Sequence, residues 1–396
     1  MPNLPSSSSR REFLRLAAGA GALSLAAPGE FLRPRSAAPL KILVFGGTGF
    51  LGPSIVRPAL ARKHELTLFN RGRSRRHLFP EVERIAGDQD PAKGDGLKNL
   101  EKAIAAGRTW DVVIDDIAYY PSIVTPRLAL LQKAAKHYVM VSSISAYASN
   151  AKFGQTEDAP LAKVEDESRR DMGKNYEFYG GLKAACERLT SEHFPDATTI
   201  VRPGYIVGPE DPTDRFTYWP LRYQRGGEMV WPGTPEDLLQ IIDVRDLGEW
   251  MVRVVEERVL GAFNACGPKK PWSMGSLLAT CKELSSAKTT PVWVSSEFLA
   301  KRGEAGEGQL PIWAPSSGDT IGYHSYSNAK ALAAGLSCRD PQATTKDTVA
   351  WFAGLPSTRS ETSRDNALRA GPKAEDEAKL LADWKASVAA AGKDKR

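Results

Sequence analysis

The feature that most constrains the fold is a glycine-rich turn at residues 46–52, between a short apolar run and a helical pattern. Residues 41–45 read Lys-Ile-Leu-Val-Phe, which is typical of a buried parallel strand. Glycines recur at positions 46, 49 and 52, and the apolar periodicity of residues 51–61 predicts a helix. A Cβ at the first two glycines would block a sharp turn and the approach of a ligand diphosphate, and one at the third would hold the helix off the strand. The helix N-terminus adds unpaired N–H groups, so the segment predicts a dinucleotide-binding turn formed by Gly46, Gly47, Thr48, Gly49, Phe50, Leu51 and Gly52.

Strand and helix patterns alternate along the chain from residue 41 to residue 201. Strands are expected at residues 41–45, 65–69, 82–86, 111–115, 138–141 and 198–201. Helices are expected between them, at residues 51–61, 97–106, 122–135 and 176–193. This order predicts an α/β fold, a Rossmann-type doubly wound parallel sheet.

The rest of the chain predicts a smaller C-terminal substrate lobe. Residues 39–205 are expected to form an NAD(P)-binding Rossmann domain, to which residues 239–265 return. Residues 206–238 and 266–356 are assigned to the substrate-binding lobe, and residues 207–237, rich in Gly, Pro and aromatics, are expected to be loop and cap. Residues 273–284 predict an N-capped helix, and residues 357–396 predict a linker and a C-terminal helix at 374–391.

Residues 1–38 are expected to be a leader rather than part of the fold. Residues 9–15 read Ser-Arg-Arg-Glu-Phe-Leu-Arg, which is typical of a twin-arginine signal, and a weakly apolar run at 16–27 follows. That run is too short for an ordinary transmembrane helix. We therefore expect a protein exported by the twin-arginine route, periplasmic or in the cell envelope, with no stable membrane insertion after signal removal; the alternative is a basic tail.

The composition of the remaining chain favours a small-molecule partner. Without the leader the net charge falls from +6 to about +3, and no Lys/Arg block with interleaved aromatics remains, so no nucleic-acid partner is expected. The four cysteines show no metal-ligand spacing, so no metal site is expected. Free buried thiols are expected, although an oxidising compartment would allow one disulfide. A homodimer is compatible with the sequence, which does not determine the oligomeric state.

The residues after the second and third predicted strands bear on cofactor choice. At position 70 a dinucleotide fold meets the adenosine ribose, and an acid there would accept the ribose hydroxyls of NAD. Here Asn70 is followed by Arg71 and by arginines at 73, 75 and 76, whose guanidinium forks suit the extra phosphate of NADP. NADP is therefore expected in preference to NAD, unless the loop is only a solvated basic surface. Asp88 is expected to accept a hydrogen bond from the adenine amino group, or to serve only as a turn residue.

Tyr179 and Lys183 lie one helical turn apart on one face of a predicted helix. A nearby ammonium stabilises phenolate, so the phenol can exchange a proton with a substrate hydroxyl or carbonyl while a nicotinamide exchanges hydride. Lys183 can also hold the nucleotide's ribose hydroxyls. Tyr326 and Lys330 have the same spacing, but only the first pair opens the helix after the 138–141 strand, at the edge where such sheets bind ligands. Tyr179 and Lys183 are therefore expected to be catalytic.

Serines 142, 143 and 145 follow the strand at residues 138–141. A hydroxyl there can bind the substrate oxygen and share its proton with Tyr179, or it can cap backbone groups.

These motifs together resemble an extended, atypical short-chain dehydrogenase/reductase of the NAD-dependent epimerase/dehydratase kind. The likeness runs from about residue 41 to 268, through Gly-Gly-Thr-Gly-Phe-Leu-Gly, Ser-Ser-Ile-Ser-Ala-Tyr, Tyr-Gly-Gly-Leu-Lys and Arg-Pro-Gly-Tyr-Ile-Val-Gly-Pro. It implies that Ser143 is the catalytic serine beside Tyr179 and Lys183. It also implies an NAD(P)-dependent oxidoreductase or epimerase acting on a secondary alcohol or ketone of a sugar-like substrate. The alternative it allows is a non-catalytic nucleotide-binding or RNA-binding protein on the same fold.

Three departures from the family pattern narrow the expected chemistry. Sugar-nucleotide dehydratases place an acid pair where Ile144 and Ser145 stand, so elimination is disfavoured. Nucleotide-sugar epimerases place an arginine for the substrate diphosphate where Leu239 stands, and Arg215 or Arg222 would have to replace it. The fourth strand ends Asp-Asp-Ile-Ala-Tyr-Tyr, at residues 115–120, instead of a His-x-Ala-Ala-like sequence, so the wall near the nicotinamide is unusual.

Five aromatic residues are candidates to line a substrate pocket and to stack on a sugar or an aromatic ring, and two of them are expected to touch substrate. They are Tyr147, Tyr176, Tyr205, Tyr218 and Trp219.

Overall fold

The computed structural model describes residues 38–303, 310–355 and 368–393. The chain separates into Met1–Ala38 and Pro39–Arg396, and every element below belongs to the second unit. The predicted signal at residues 9–15 lies outside the described residues, so the expectation of export stays a prediction.

Seven strands form one parallel sheet, and two further pairs of strands lie outside it. The described strands are β1 Lys41–Phe45, β2 Glu65–Asn70, β3 Glu83–Ala86, β4 Val112–Asp115, β5 Tyr138–Val141, β6 Thr198–Pro203, β7 Tyr205–Val207, β8 Gly227–Pro232, β9 Ile241–Asp243, β10 Gly261–Ala265 and β11 Thr289–Val294. The large sheet has the order β10-β6-β5-β4-β1-β2-β3, and β8 pairs with β11 and β7 with β9. The predicted doubly wound fold is confirmed.

Helices cover both faces of the large sheet. The described α-helices are α1 Gly52–Ala61, α2 Lys98–Ala105, α3 Pro121–Leu131, α4 Tyr179–His193, α5 Tyr218–Gln224, α6 Val244–Glu256, α7 Met274–Glu283, α8 Ser296–Lys301, α9 Ala329–Ala333, α10 Pro341–Ala353 and α11 Ala374–Lys393. Alternate side chains of β1 point to opposite faces. Ile42 and Val44 pack with α1 and α6, and Leu43 and Phe45 pack with α2, α3 and α4. The core thus fixes the strand ends that carry the site.

One strand of the large sheet and several elements of the lobe were not predicted from the sequence. All six predicted strands are present, but β10, which pairs with β6, was not predicted. Residues 207–237 were expected to be loop and cap, and the expected loop was wrong in part, because the segment contains α5 and β8. Their aromatics Trp219 and Trp231 are buried in a separate core beside the sheet. That packing, rather than local propensity, holds these elements in place.

The helix α11 packs on the lobe near the expected position. Leu380 and Leu381 are buried in the lobe core, and Glu377 pairs with Arg222 of α5 at 2.6 Å. Among the described helices, none has both the length and the apolar composition to cross a membrane. The four cysteines are free, and three of them are buried.

Candidate active site

The predicted site residues lie along one edge of the large sheet, where its parallel strands end. Gly46 follows β1, Asn70 ends β2 and Asp88 follows β3, while residue 116 follows β4 and Ser143 follows β5. The strand order reverses direction between β1 and β4, which leave the sheet toward opposite sides. Open α/β sheets bind ligands in the crevice at such a reversal.

The glycine-rich turn has the geometry that a diphosphate requires. Gly46 and Gly47 have φ angles of 107° and 80°, so the turn uses backbone conformations that other residues rarely adopt. A Cβ on Gly52 would lie 2.5 Å from the Gly47 carbonyl carbon, whereas one on Gly49 would meet nothing within 4 Å. The third glycine is therefore needed for contact with the turn itself, not with the strand as expected. Gly49 leaves open space for a ligand in front of the N-terminus of α1, which agrees with a bound diphosphate.

Asn70 and Asp88 both have structural roles that the sequence only partly indicated. The Asn70 amide donates to the Gly46 carbonyl at 2.9 Å, and its oxygen accepts from the Gly72 N–H at 2.9 Å. Asn70 therefore joins the end of β2 to the glycine-rich turn. The Asp88 carboxylate accepts from the Asp90 N–H at 3.0 Å, which is the turn role.

Arg71 and Arg75 differ in what they contact. Arg71 is exposed and has no ion pair or hydrogen bond to any described residue. Arg75 donates to the Gly49 carbonyl at 3.0 Å and pairs with Glu210, which also pairs with Arg57 at 3.3 Å. Arg75 could not be distinguished from its neighbours in the sequence, because its partner Glu210 follows β7, far along the chain.

Lys183 is buried between the ends of β4 and β5. Its ammonium donates to the carbonyls of Ala118 and Val141, at 2.7 and 2.6 Å, and lies 4.9 Å from the Tyr119 ring centroid. Burial lowers the pKa of Lys183, while neighbouring anionic groups act in the opposite direction. Within the described part of the chain, two of the three ammonium donors are used, which leaves one for a ligand.

The first turn of α4 packs directly against the short 3₁₀ turn Ile144–Ala146 that follows β5. A Cβ on Gly180 would collide with the carbonyl oxygen of Ser145, so a glycine is required for this approach. Ser143 caps the 3₁₀ turn by accepting from the Ser145 N–H at 3.1 Å, and it remains half-buried. The packing therefore brings the α4 end that carries Tyr179 against the turn that carries Ser143. The sequence analysis overlooked Gly180 as the cause.

A buried polar network joins the residues on both sides of the 3₁₀ turn to α4 and β6. Ser142 donates to Glu187 of α4, and Glu187 pairs with Arg202 of β6 at 2.6 Å. Arg202 also donates to the Tyr147 hydroxyl at 3.0 Å, and that hydroxyl donates to Asn264 at 2.6 Å. Of the serines that follow β5, Ser142 belongs to this network, which leaves Ser143 and Ser145 closer to solvent.

The second Tyr-x-x-x-Lys match, Tyr326 and Lys330, does not lie within one helix. Tyr326 is buried, stacks on Tyr147 and hydrogen-bonds Asn150, and it precedes α9 rather than lying in a helix. Lys330 lies 4.6 Å from the ring centroid of Phe263. This pair belongs to the packing between the lobe and the sheet.

The aromatic residues proposed for a substrate pocket are mostly core residues. Tyr147, Tyr205, Tyr218 and Trp219 are buried, while Tyr176 is 69% exposed with a φ angle of 60°. Tyr176 stands three residues before Tyr179, whose N–H donates to its carbonyl at 3.0 Å. It is therefore the one of the five whose ring is open to a ligand without rearrangement.

Arg222 and Leu239 both contact other residues of the lobe. Arg222 donates to the carbonyls of Gly226 and Glu228 besides its pair with Glu377, so it does not replace the missing substrate arginine. Leu239 is buried in the lobe core. Arg215 is half-buried over the Tyr205 ring, 5.1 Å from the centroid, and has no ion pair with any described residue.

Comparison with known proteins places these features in a family. A family model described as the NAD dependent epimerase/dehydratase family matches residues 42–266, more than half of the chain. The chain is similar to the epimerase family protein SDR39U1 of Bos taurus, at 24% identity over 249 residues, which are 58% of this chain and 75% of that protein. It is also similar to the chloroplast stem-loop binding protein of 41 kDa b of Arabidopsis thaliana, at 28% identity over 243 residues, 58% of this chain and 59% of that protein.

A similar solved structure is that of the Bordetella bronchiseptica enzyme WbmG in complex with NAD and UDP. The TM-score is 0.59 at 18% identity, over 81% of this chain and 96% of that chain. At this identity the likeness shows a shared fold.

Proposed function

This chain belongs to the NAD dependent epimerase/dehydratase family, and we propose that it is an NAD(P)-dependent epimerase or oxidoreductase. Its substrate is a secondary alcohol or ketone of a sugar-like molecule. The observation that carries this proposal is the position of Lys183, fixed by two carbonyls one turn from Tyr179. Both residues lie at the sheet edge that also holds the glycine-rich turn.

Different residues of the chain bind the nucleotide, orient the substrate and transfer the proton. The glycine-rich turn binds the nucleotide diphosphate, and the remaining Lys183 donor binds a ribose hydroxyl. Ser143 orients the substrate oxygen, and Tyr179 gives or takes its proton. The nicotinamide, when bound, supplies the hydride exchange at the adjacent carbon.

We propose a substrate without a nucleotide diphosphate, and a closed redox cycle. Leu239, buried in the lobe core, stands where nucleotide-sugar epimerases carry an arginine. If the protein is exported, as residues 9–15 suggest, it works where no nucleotide pool is expected. A bound nucleotide must then return to its starting redox state in each turnover, by epimerisation through a transient ketone or by paired oxidation and reduction of two substrates.

The preferred cofactor in this proposal is NADP. Asn70 carries no charge that would repel a 2′-phosphate, and Arg71 stands exposed beside it without a partner among the described residues. NAD is the alternative, and it is the nucleotide in the complex of WbmG.

The second candidate is a binding protein on the same fold, favoured by the similarity to a stem-loop binding protein. In that case the nucleotide site would persist without turnover, and RNA would be the ligand. The modest net charge without the leader, about +3, is unfavourable for RNA binding, and the Tyr179–Lys183 arrangement would be unused.

One experiment separates these possibilities. The full chain is produced through the export route, the protein is denatured, and any released nucleotide is identified by mass. Intact protein is then mixed with free sugars and simple ketones while the absorbance of reduced nicotinamide is followed. We expect nucleotide to co-purify and its absorbance to change with at least one sugar.

Other outcomes would contradict specific parts of the proposal. Empty protein that binds added nucleotide only at micromolar affinity or weaker would contradict the closed cycle. A retained nucleotide that no sugar or ketone oxidises or reduces, together with tight binding of a stem-loop RNA, would favour the binding protein.

A further inference from the structure

Asp116 lies in the crevice where the strand order reverses. It follows Asp115, which pairs in register with Phe45 of β1, and its N–H donates to the Phe45 carbonyl at 3.3 Å. Its carboxylate faces the glycine-rich turn, because a Cβ on Gly46 would lie 3.6 Å from the Asp116 Oδ2 atom. A nucleotide bound at this turn therefore passes close to Asp116.

The neighbouring Asp115 carboxylate, in contrast, has several partners. It pairs with the buried Arg127 at 2.7 Å, and it accepts from the Tyr138 hydroxyl at 2.6 Å and from the Ile117 N–H at 3.0 Å. The Asp116 carboxylate has neither a hydrogen bond nor an ion pair with any described residue. An acid left without partners beside a ligand-binding turn is available to a ligand.

The charged and titratable groups around Asp116 come from two elements. Asp115 and Tyr119 flank it on its own segment, Lys183 faces it from α4, and Tyr179 of α4 acts on Tyr119. Burial raises the pKa of Asp116 to about 7, the charge of Asp115 adds to the rise, and the Lys183 ammonium opposes it. Burial, followed by the charges of Asp116 and Tyr179, likewise raises the pKa of Tyr119.

We propose that Asp116 binds the nucleotide as a neutral acid, donating a hydrogen bond to a diphosphate or ribose oxygen, so that nucleotide binding takes up a proton. The proposal rests on the nucleotide site of the proposed function. An ionised carboxylate here would face the diphosphate without a cation bonded to it, since the Lys183 ammonium donates to two carbonyls instead. The neutral acid removes that repulsion and supplies a donor.

The test measures NADH affinity by fluorescence at about pH 6 and about pH 8, on protein freed of endogenous nucleotide. NADH is used because it lacks the 2′-phosphate, which itself titrates in this range. The neutral fraction of an acid with a pKa near 7 falls about tenfold between these values, so wild-type affinity should fall about tenfold. Asp116→Asn keeps a donor that cannot ionise, so its affinity should be independent of pH and equal to that of the wild type at pH 6.

Asp111→Asn is the matched control, because it makes the same change at the opposite end of β4, where Asp111 pairs with Lys136. It should keep the tenfold pH dependence. Calorimetry in two buffers of different ionisation enthalpy should show proton uptake by the wild type near pH 8 and none by Asp116→Asn.

Wild-type affinity that does not change with pH, or an Asp116→Asn variant that keeps the full dependence, would overturn the inference. Weaker binding by Asp116→Asn at both pH values would also overturn it, because the amide keeps a neutral donor at the position where the proposal requires one. All these results leave the proposed function standing, whereas a wild type that binds no nucleotide at either pH would refute both.

Discussion

Among single residues, the arginines after β2 divide by what they touch. Arg75 is held by Glu210 across the glycine-rich turn, and Arg76 donates to the Gly72 carbonyl. Arg71 is exposed next to Asn70, at the position where the adenosine ribose is expected. Arg71 is therefore the residue best placed to distinguish NADP from NAD.

Replacement of Arg71 tests the cofactor preference. Arg71→Ala should weaken NADP binding by about 1–3 kcal/mol and leave NAD binding nearly unchanged, because only NADP carries the extra phosphate. Dissociation constants for both nucleotides, measured by titration, check this. Lys379→Ala, which removes an exposed cation on α11, should change neither value. Equal losses for NADP and NAD would mean that Arg71 does not read the 2′-phosphate.

Among the elements, α4 carries both the proposed reactive residues and the buried ion pair that anchors the helix. Tyr179, Lys183 and Glu187 follow one another at intervals of one turn, so they lie along one face. Glu187 and Arg202 are each about 5% exposed in their side chains, and their pair joins α4 to β6. Loss of Glu187 would leave a buried guanidinium without its counter-charge.

Glu187→Ala should therefore lower the free energy of unfolding by about 3–5 kcal/mol, measured by urea denaturation. The control is Glu192→Ala on the same helix, where an exposed pair with Arg188 is removed. That change should cost only about 0.3–0.5 kcal/mol. Similar losses for the two variants would show that the buried pair contributes little.

The difference between what could and could not be predicted follows from these elements. The central strands β1, β4 and β5 are buried and read as short apolar runs, so their positions were evident from the sequence, whereas β10 was not recognised. The helix α5 and the strand β8 lie in a segment whose glycines and aromatics indicate a loop locally. Their order comes from the burial of Trp219 and Trp231 in a core assembled from distant residues.

The distinction between local patterns and distant contacts also applies to the candidate site. The glycine-rich turn and the Tyr179–Lys183 spacing are local patterns, so they were recognised in the sequence. Two features depend on contacts between distant segments: the pairing of Arg75 with Glu210, and the absence of partners for the Asp116 carboxylate among the described residues. Four of the five proposed pocket aromatics are buried for the same reason.

For the described molecule as a whole, the proposed nucleotide and proton-transfer groups lie at the sheet edge, beside the lobe. The ends of β1, β4 and β5 supply the nucleotide turn, the Lys183 anchor and the serine turn. Arg222 and Leu239 are buried within the lobe, so we propose that the substrate is recognised by other groups, among which Tyr176 and Arg215 are accessible. We propose that the first Tyr-x-x-x-Lys pair, and not the second, performs the chemistry.

The most direct test compares Tyr179→Phe with Tyr326→Phe, using turnover of a substrate found in the absorbance screen and nucleotide affinity on the same preparations. Tyr179→Phe should lower turnover at least about a hundredfold while nucleotide still binds, because only the proton-transfer group is lost. Tyr326→Phe should keep turnover near wild type, since Tyr326 is buried against Tyr147 and belongs to the packing of the lobe on the sheet. Wild-type turnover in Tyr179→Phe, or a hundredfold loss in Tyr326→Phe with folding intact, would contradict the site.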